Sequence, residues 1–182
     1  MKKIKLLEKK LKSKKIFKGR AVGFNVDTIL LPNGKTATRE YLTHPGAVAI
    51  LPILKNGDIV FVKQYRYPIG KATYEIPAGK LHNKKDNFLK RGIAELKEET
   101  GYSAKKLAHL VDFWPTPAFS NELLKIYFAT DLKAGKAMPD EDEFLKIEFI
   151  PLNKAMKMIK TGKIKDSKTI IAIQAYMLNR KQ

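Results

Sequence analysis

Two Asn-Gly pairs, Asn33-Gly34 and Asn56-Gly57, limit this chain more than any other feature. Asn-Gly accepts the positive φ angles of a tight turn, so apolar runs on either side of it read as β-hairpin arms. Arg20–Leu31 is rich in β-formers and alternates loosely, and Thr36–Leu42 returns after Pro32-Asn33-Gly34-Lys35. Residues 17–42 therefore predict a small antiparallel lobe. Ala47–Leu54 and Ile59–Tyr65, joined by Lys55-Asn56-Gly57-Asp58, predict a second hairpin. A short strand follows at Thr73–Ile76 and ends at Pro77-Ala78-Gly79.

Beyond Gly79 the period changes. Asp86 is a suitable cap for a helix over about Asn87–Thr100, with Gly101 as its left-handed stop. Strands are expected at Leu107–Phe113, Leu123–Ala129 and Phe144–Phe149. Asn153–Lys160 reads as a helix stopping near Gly162. A last helix, capped by Ser167, runs to Leu178 with Ile170, Ile171, Ile173 and Met177 on its core face. Strands mixed with three helices predict a layered α/β domain. Ahead of all this, residues 2–15 place Ile4, Leu7 and Leu11 at helical spacing among lysines, which fits either a short amphipathic helix or a frayed basic tail.

Composition excludes several classes. The longest apolar stretch, Ala47–Leu54, contains Pro52 and is too short to span a bilayer. No apolar core follows the basic N-terminus, so a secretory signal is not expected and a cytoplasmic protein is. The absence of cysteine excludes disulfides, a thiol nucleophile and Cys-based zinc sites. The net charge of +18 comes almost wholly from lysine, with arginine only at Arg20, Arg39, Arg66, Arg91 and Arg180. Bidentate reading of bases and phosphates favours arginine, so nucleic acid is not the expected partner. A positive field still draws in a small polyanion.

Glu95, Glu98 and Glu99 stand at i, i+3 and i+4, on one face of the expected helix. Like charges so placed repel, and a cation among them removes that cost. Hard divalent ions take oxygen ligands and keep waters for substrate phosphates. Taken alone, the pattern is more often a solvated acidic face.

Its surroundings change that reading. Gly79 and the string Glu95-Leu96-Lys97-Glu98-Glu99-Thr100-Gly101-Tyr102 together resemble the Nudix box, in the context Glu75-Ile76-Pro77-Ala78-Gly79-Lys80-Leu81. Two positions depart from it. Ala94 stands where that family has an arginine, and the loop is one residue longer, so the first acidic position falls on Asp86. Arg91, one helical turn before Glu95, is the candidate to replace the missing arginine. The likeness continues outside the box, over about residues 17–180. His44-Pro45-Gly46-Ala47-Val48-Ala49, Gln64-Tyr65-Arg66-Tyr67-Pro68, and Pro117 sixteen residues past Gly101 are similar to the ADP-ribose pyrophosphatase branch.

The resemblance implies an α/β/α sandwich with a mixed sheet over residues 43–182, preceded by an N-terminal lobe over residues 1–42 that exchanges across a homodimer. It implies a hydrolase that cleaves ADP-ribose to AMP and ribose 5-phosphate with Mg²⁺, or Mn²⁺ in its place. Glu95 and Glu99 would be the main metal ligands, with Glu98 assisting and the Ala78 carbonyl completing the shell. Arg66 would contact the diphosphate, Arg39 and Glu40 the adenosine half, and Glu122 the terminal ribose. Lys80 and Pro117 would complete the substrate contacts. The acidic run Pro139-Asp140-Glu141-Asp142-Glu143 would supply the general base, Glu141 first, with Glu143 as a metal-side carboxylate and the two open to exchange. Rival readings are a nucleotide-sugar pyrophosphatase acting on a GDP-mannose-like compound, and a non-catalytic nucleotide sensor with a degenerate box.

Overall fold

The computed structural model describes residues 6–180, which form two compact units. The first comprises the chain through Pro45 together with Thr116–Glu122. Three antiparallel strands build it: β1 (Lys9–Lys18), β2 (Gly23–Leu30) and β3 (Thr36–Thr43), in the order β1-β2-β3. The first Asn-Gly turn works as expected, with Gly34 at φ 83° and Leu30 paired to Thr36. Thr116–Glu122 is held to β3 at Leu42, whose amide donates to the Phe119 carbonyl at 2.8 Å.

One expectation fails in this unit. Of the proposed helix over residues 2–15, residues 2–5 lie outside the described part, and Lys9–Lys18 is a strand. Its helical spacing carries no buried face: every residue of β1 is exposed. Backbone pairing with the open edge of β2, together with Ser13 donating to Asp27 at 2.5 Å, outweighs the weak period.

The second unit comprises Gly46–Pro115 and the chain from Leu123 onward. One sheet has the order β7-β4-β9-β8, formed by β4 (Ala47–Pro52), β7 (Ala78–Lys80), β8 (Ser103–Phe113) and β9 (Leu124–Lys133), with β4 and β9 parallel. The other has the order β10-β5-β6, formed by β5 (Asp58–Arg66), β6 (Lys71–Glu75) and β10 (Lys146–Pro151). Every residue of β4 is buried, as an unbroken apolar run demands when both faces are covered. Ala49 and Leu51 pack among Ile126, Ala172 and Ile173, while Ile50 packs with Leu96 and Ala129. Helix α1 (Phe88–Thr100) therefore lies on one side of β4, and helices α2 (Leu152–Lys160) and α3 (Ser167–Asn179) contribute to the core on the other. This is the expected α/β/α sandwich with a mixed sheet.

The second Asn-Gly turn is a correction. Gly57 has φ 86° and the turn closes, with Leu54 donating to Asp58 at 2.8 Å. Beyond the single bridge Ile53–Ile59, however, its arms separate into different sheets. Both edges of β4 are taken by β7 and β9, and both edges of β5 by β6 and β10, so neither strand has an edge for the other. Helix starts also shift. Asn87, not Asp86, caps α1 by accepting from Lys90 N at 3.0 Å; Asp86 instead accepts from the amides of His82 and Asn83 at 2.6 and 3.1 Å. Asp166, not Ser167, caps α3 through Thr169 N at 3.0 Å. A carboxylate one residue earlier reaches the free amides of the first turn. No helix among the described residues is long and apolar enough to cross a membrane.

A candidate active site on the carboxylate helix

Leu96 anchors α1 by full burial, which contributes about 2 kcal/mol. With Leu96 turned inward, Glu95 and Glu99 are carried in too, at 5% and 3% exposure. Glu98 lies at the flank with 43% of its side chain exposed. The Glu95 carboxylate occupies the space above Gly79 on β7, where a β-carbon would overlap it. Only glycine permits this approach. Glu99 accepts from the Ala78 amide at 3.2 Å. Lys80 ends the same strand, opposite Ala47.

These carboxylates are out of their ordinary range. Burial pushes Glu99 up to about 8, and the charges of Glu95 and Glu143 add to it. Burial pushes Glu95 up to about 7, against an opposing pull from Arg91. Arg91 pairs through Nη2 with Glu95 and stands 3.6 Å from Glu98 through Nη1. Glu143 is also raised, first by burial and further by the charges of Asp140 and Asp142. The loop carrying it is tied to α1 by Met138 N donating to the Glu98 carbonyl at 2.8 Å. Glu143 is half-buried and its charge acts on both Glu95 and Glu99; Glu141 is exposed in the same acidic turn.

Arg66, expected from the sequence, belongs to a group whose other members, Glu75 and Lys168, were not expected as site residues. Arg66, at the end of β5, binds Glu75 with both oxygens engaged, Nε to Oε1 at 2.8 Å and Nη2 to Oε2 at 2.6 Å. Lys168 of α3 reaches the same carboxylate. Burial alone would raise Glu75, but the hydrogen bonds from Arg66 and the charge of Lys168 outweigh it and hold Glu75 at about 2. The unfolded carboxyl titrates near 4.5, so this contribution is complete above that pH and is lost as pH falls towards 2. It is worth roughly 3 kcal/mol. Urea midpoints measured from pH 7 to 2.5 should fall less steeply in Glu75→Gln than in the wild type. Equal acid slopes would refute the assignment.

The remaining expected site residues gather in the first unit. Arg39 on β3 pairs with Glu8, its Nε donating at 3.0 Å. Arg39, Glu40 and Pro117 border a surface pocket of about 240 Å³ with Tyr41, Phe119 and Asn121. Glu122 stands 3.7 Å from His44 Nδ1. Thus Ala78, Glu95, Glu99, Glu143 and Arg66 come together in the second unit, and Arg39, Glu40, Pro117 and Glu122 belong to the first.

Residues 43–172, which carry the acidic helix, the glycine strand beneath it and the acidic loop, match the NUDIX domain. The chain belongs to the NUDIX family and is a hydrolase of that family. It is 43% identical over 173 residues to a methanol dehydrogenase activator of Bacillus methanolicus, covering 94% of this chain and 93% of that protein. It is 39% identical over 175 residues to an ADP-ribose pyrophosphatase of Bacillus subtilis (strain 168), covering 95% and 94%. Among solved structures, an ADP compounds hydrolase superposes with a TM-score of 0.83 over 96% of this chain and 94% of its own, at 20% identity, and so shares the fold.

Proposed function

We propose that this NUDIX hydrolase is an ADP-ribose pyrophosphatase, dependent on Mg²⁺ or Mn²⁺, which releases AMP and ribose 5-phosphate. The observation that carries the reading is the convergence of Glu95, Glu99 and Glu143, beside the cation Arg66. The B. subtilis relative supports ADP-ribose as the substrate. Buried carboxylates raised by desolvation and mutual repulsion suit a divalent cation, and an all-oxygen donor set suits a hard one. Among the described residues no three such side chains form a ready-made cage, so Glu95 and Glu99 would share the ion with the Ala78 carbonyl, water and substrate oxygens, assisted by Glu98.

When bound, the ion neutralises the diphosphate and lowers the pKa of its water. The protein does the rest by positioning and proton transfer. Arg66 keeps Nη1 for the diphosphate, because Nε and Nη2 are engaged by Glu75. A water gives one proton to Glu141, the proposed base, while its oxygen bonds to phosphorus. The bond from phosphorus to the bridging oxygen breaks, and that oxygen leaves on the second phosphate. Glu143 keeps its place as the metal-side carboxylate, which its effect on Glu95 and Glu99 supports. Arg39 and Glu40 are assigned to the adenosine half, Glu122 to the terminal ribose, and Lys80 and Pro117 to further substrate contacts.

Product release from ADP-ribose, with and without Mg²⁺, tests the proposal against a panel of nucleotide sugars including GDP-mannose. ADP-ribose should be the best substrate, and only with metal. Preference for a nucleotide sugar would move the specificity, and no turnover on the whole panel would reject the enzyme reading.

We also propose a homodimer through the N-terminal lobe. The strand β1 is an edge of its sheet and carries exposed Leu11, Ile16 and Phe17 among its lysines, so a second chain could pair with it. Sedimentation should give the mass of two chains, and removal of residues 1–42 should give one chain with little turnover. A monomeric full-length protein would refute it.

A further inference from the structure

The first turn of α3 lies outside every motif in this chain, yet it is fastened to the segment that leads into Ala78. Ile76 N donates to Thr169 Oγ1 at 2.9 Å, a buried bond between residues 93 positions apart. Lys168, only 8% exposed, runs to Glu75 and also donates to Asp166 at 2.9 Å. Asp166 is fixed in turn by the amide and hydroxyl of Thr169, at 3.0 and 2.6 Å, so the ammonium has a rigid support. Glu75, 1% exposed, is thus a single carboxylate shared by two cations, with the Thr73 hydroxyl as a further donor.

That sharing has a consequence for Arg66. Here Lys168 takes a share of the carboxylate, and Asp166 balances that second cation, accepting from Lys168 through Oδ1 and from Thr169 through Oδ2. Two cations thus meet two carboxylates, so the sharing fixes where the Arg66 guanidinium points, and 43% of its side chain remains exposed. Arg66 borders a cavity of about 340 Å³ lined by the cations Lys165 and Lys168 and by the paired carboxylates Glu75 and Asp166. The same Glu75 contact orients the guanidinium, and a bidentate hold is lost if the carboxylate turns.

We infer that Lys168 is a positioning residue for diphosphate binding: by sharing Glu75 with Arg66 it fixes the carboxylate that orients the guanidinium. The inference rests on the diphosphate role proposed above for Arg66. Lys168 lines the same cavity, but it is enclosed and already directed at two carboxylates, so its action is assigned to positioning and not to a direct contact.

The test is a double-mutant cycle on the full chain with Mg²⁺ present. Affinity for inorganic pyrophosphate is read by calorimetry, and KM and kcat are read with ADP-ribose. Lys168→Met should weaken pyrophosphate and raise KM by ~10-fold, leaving kcat within about threefold, a size ordinary for coupled neighbours. Lys168→Arg should stay within about threefold of the wild type. In a Glu75→Gln background the same Lys168→Met change should alter affinity by less than about twofold, because its route to Arg66 is gone. Multiplying effects would mean that Lys168 acts on the ligand directly, and a silent Lys168→Met would mean that it does not act; either overturns the inference. If Lys168→Met does not fold, Lys168→Gln takes its place with the same criteria. A protein inactive on ADP-ribose but showing this coupling towards pyrophosphate would reject the proposed substrate and keep the inference. Failure of the wild type to bind pyrophosphate would overturn it.

Discussion

Glu99→Gln should lower turnover by about a thousandfold and yet make the metal-free protein more stable at pH 8. The first effect follows if Glu99 holds the cation, since that charge stabilisation is worth several kcal/mol. The second follows from its burial. A carboxyl pushed up to about 8 in the folded chain, against 4.5 when unfolded, favours folding fully below 4.5 and loses that contribution as pH rises towards 8. The metal-free wild type should therefore melt at lower temperature at pH 8 than at pH 5. Adding Mg²⁺ should reverse the loss, because the ion binds the folded state. Glutamine keeps an oxygen to accept from the Ala78 amide but has no charge to bury. Its gain at pH 8 should be ~1–3 kcal/mol, allowing for titration shared with Glu95. Melting curves at the two pH values, with and without Mg²⁺, check this beside the turnover assay. A variant that stayed active, or that melted lower than the wild type at pH 8 without metal, would remove Glu99 from the metal site.

Legibility from sequence depended on whether the deciding contact was local. The spacing of Glu95, Glu98 and Glu99 put three carboxylates on one helix, and the structure buries the two that share Leu96's inward side. The Asn56-Gly57 turn was readable because a turn is decided within four residues. Where its arms went was not, because the parallel pairing of β4 with β9 joins residues such as Ala47 and Leu124 that no local pattern connects. The same holds for Glu75 and Lys168, whose buried ion pair joins β6 to α3. Lys168 looks in sequence like any other lysine of a lysine-rich chain. The strand β1 shows the opposite error, in which a short apolar period among lysines suggested a helix but offered no face worth burying.

Arg91→Ala should cost about 10- to 100-fold in kcat/KM, the range seen when a group that orients a metal ligand is removed. Ala94 leaves the usual arginine position of the box empty, and Arg91 reaches Glu95 from the preceding turn. Its side chain is 23% exposed and its Nε is buried without a partner, so it is held in the packing and is not a loose surface charge. Two opposite outcomes are physically open. If Arg91 serves mainly as a stand-in cation, its removal frees Glu95 and metal should bind more tightly. If it orients Glu95, its removal lets the carboxylate turn and lets burial raise it further above 7, since Arg91 is what pulls it down. The metal must then displace a proton, so the Mg²⁺ requirement should rise at neutral pH and ease as pH increases. The close approach of Glu95 over Gly79 favours orientation, because a carboxylate packed on backbone has little freedom to spare. Adding Ala94→Arg to Arg91→Ala supplies a guanidinium from the adjacent position and should recover turnover to within a few-fold. Mg²⁺ titrations of turnover at pH 7 and 8.5 on both variants decide the matter. Unchanged turnover and metal requirement in Arg91→Ala would show that this helix holds Glu95 without an arginine at all.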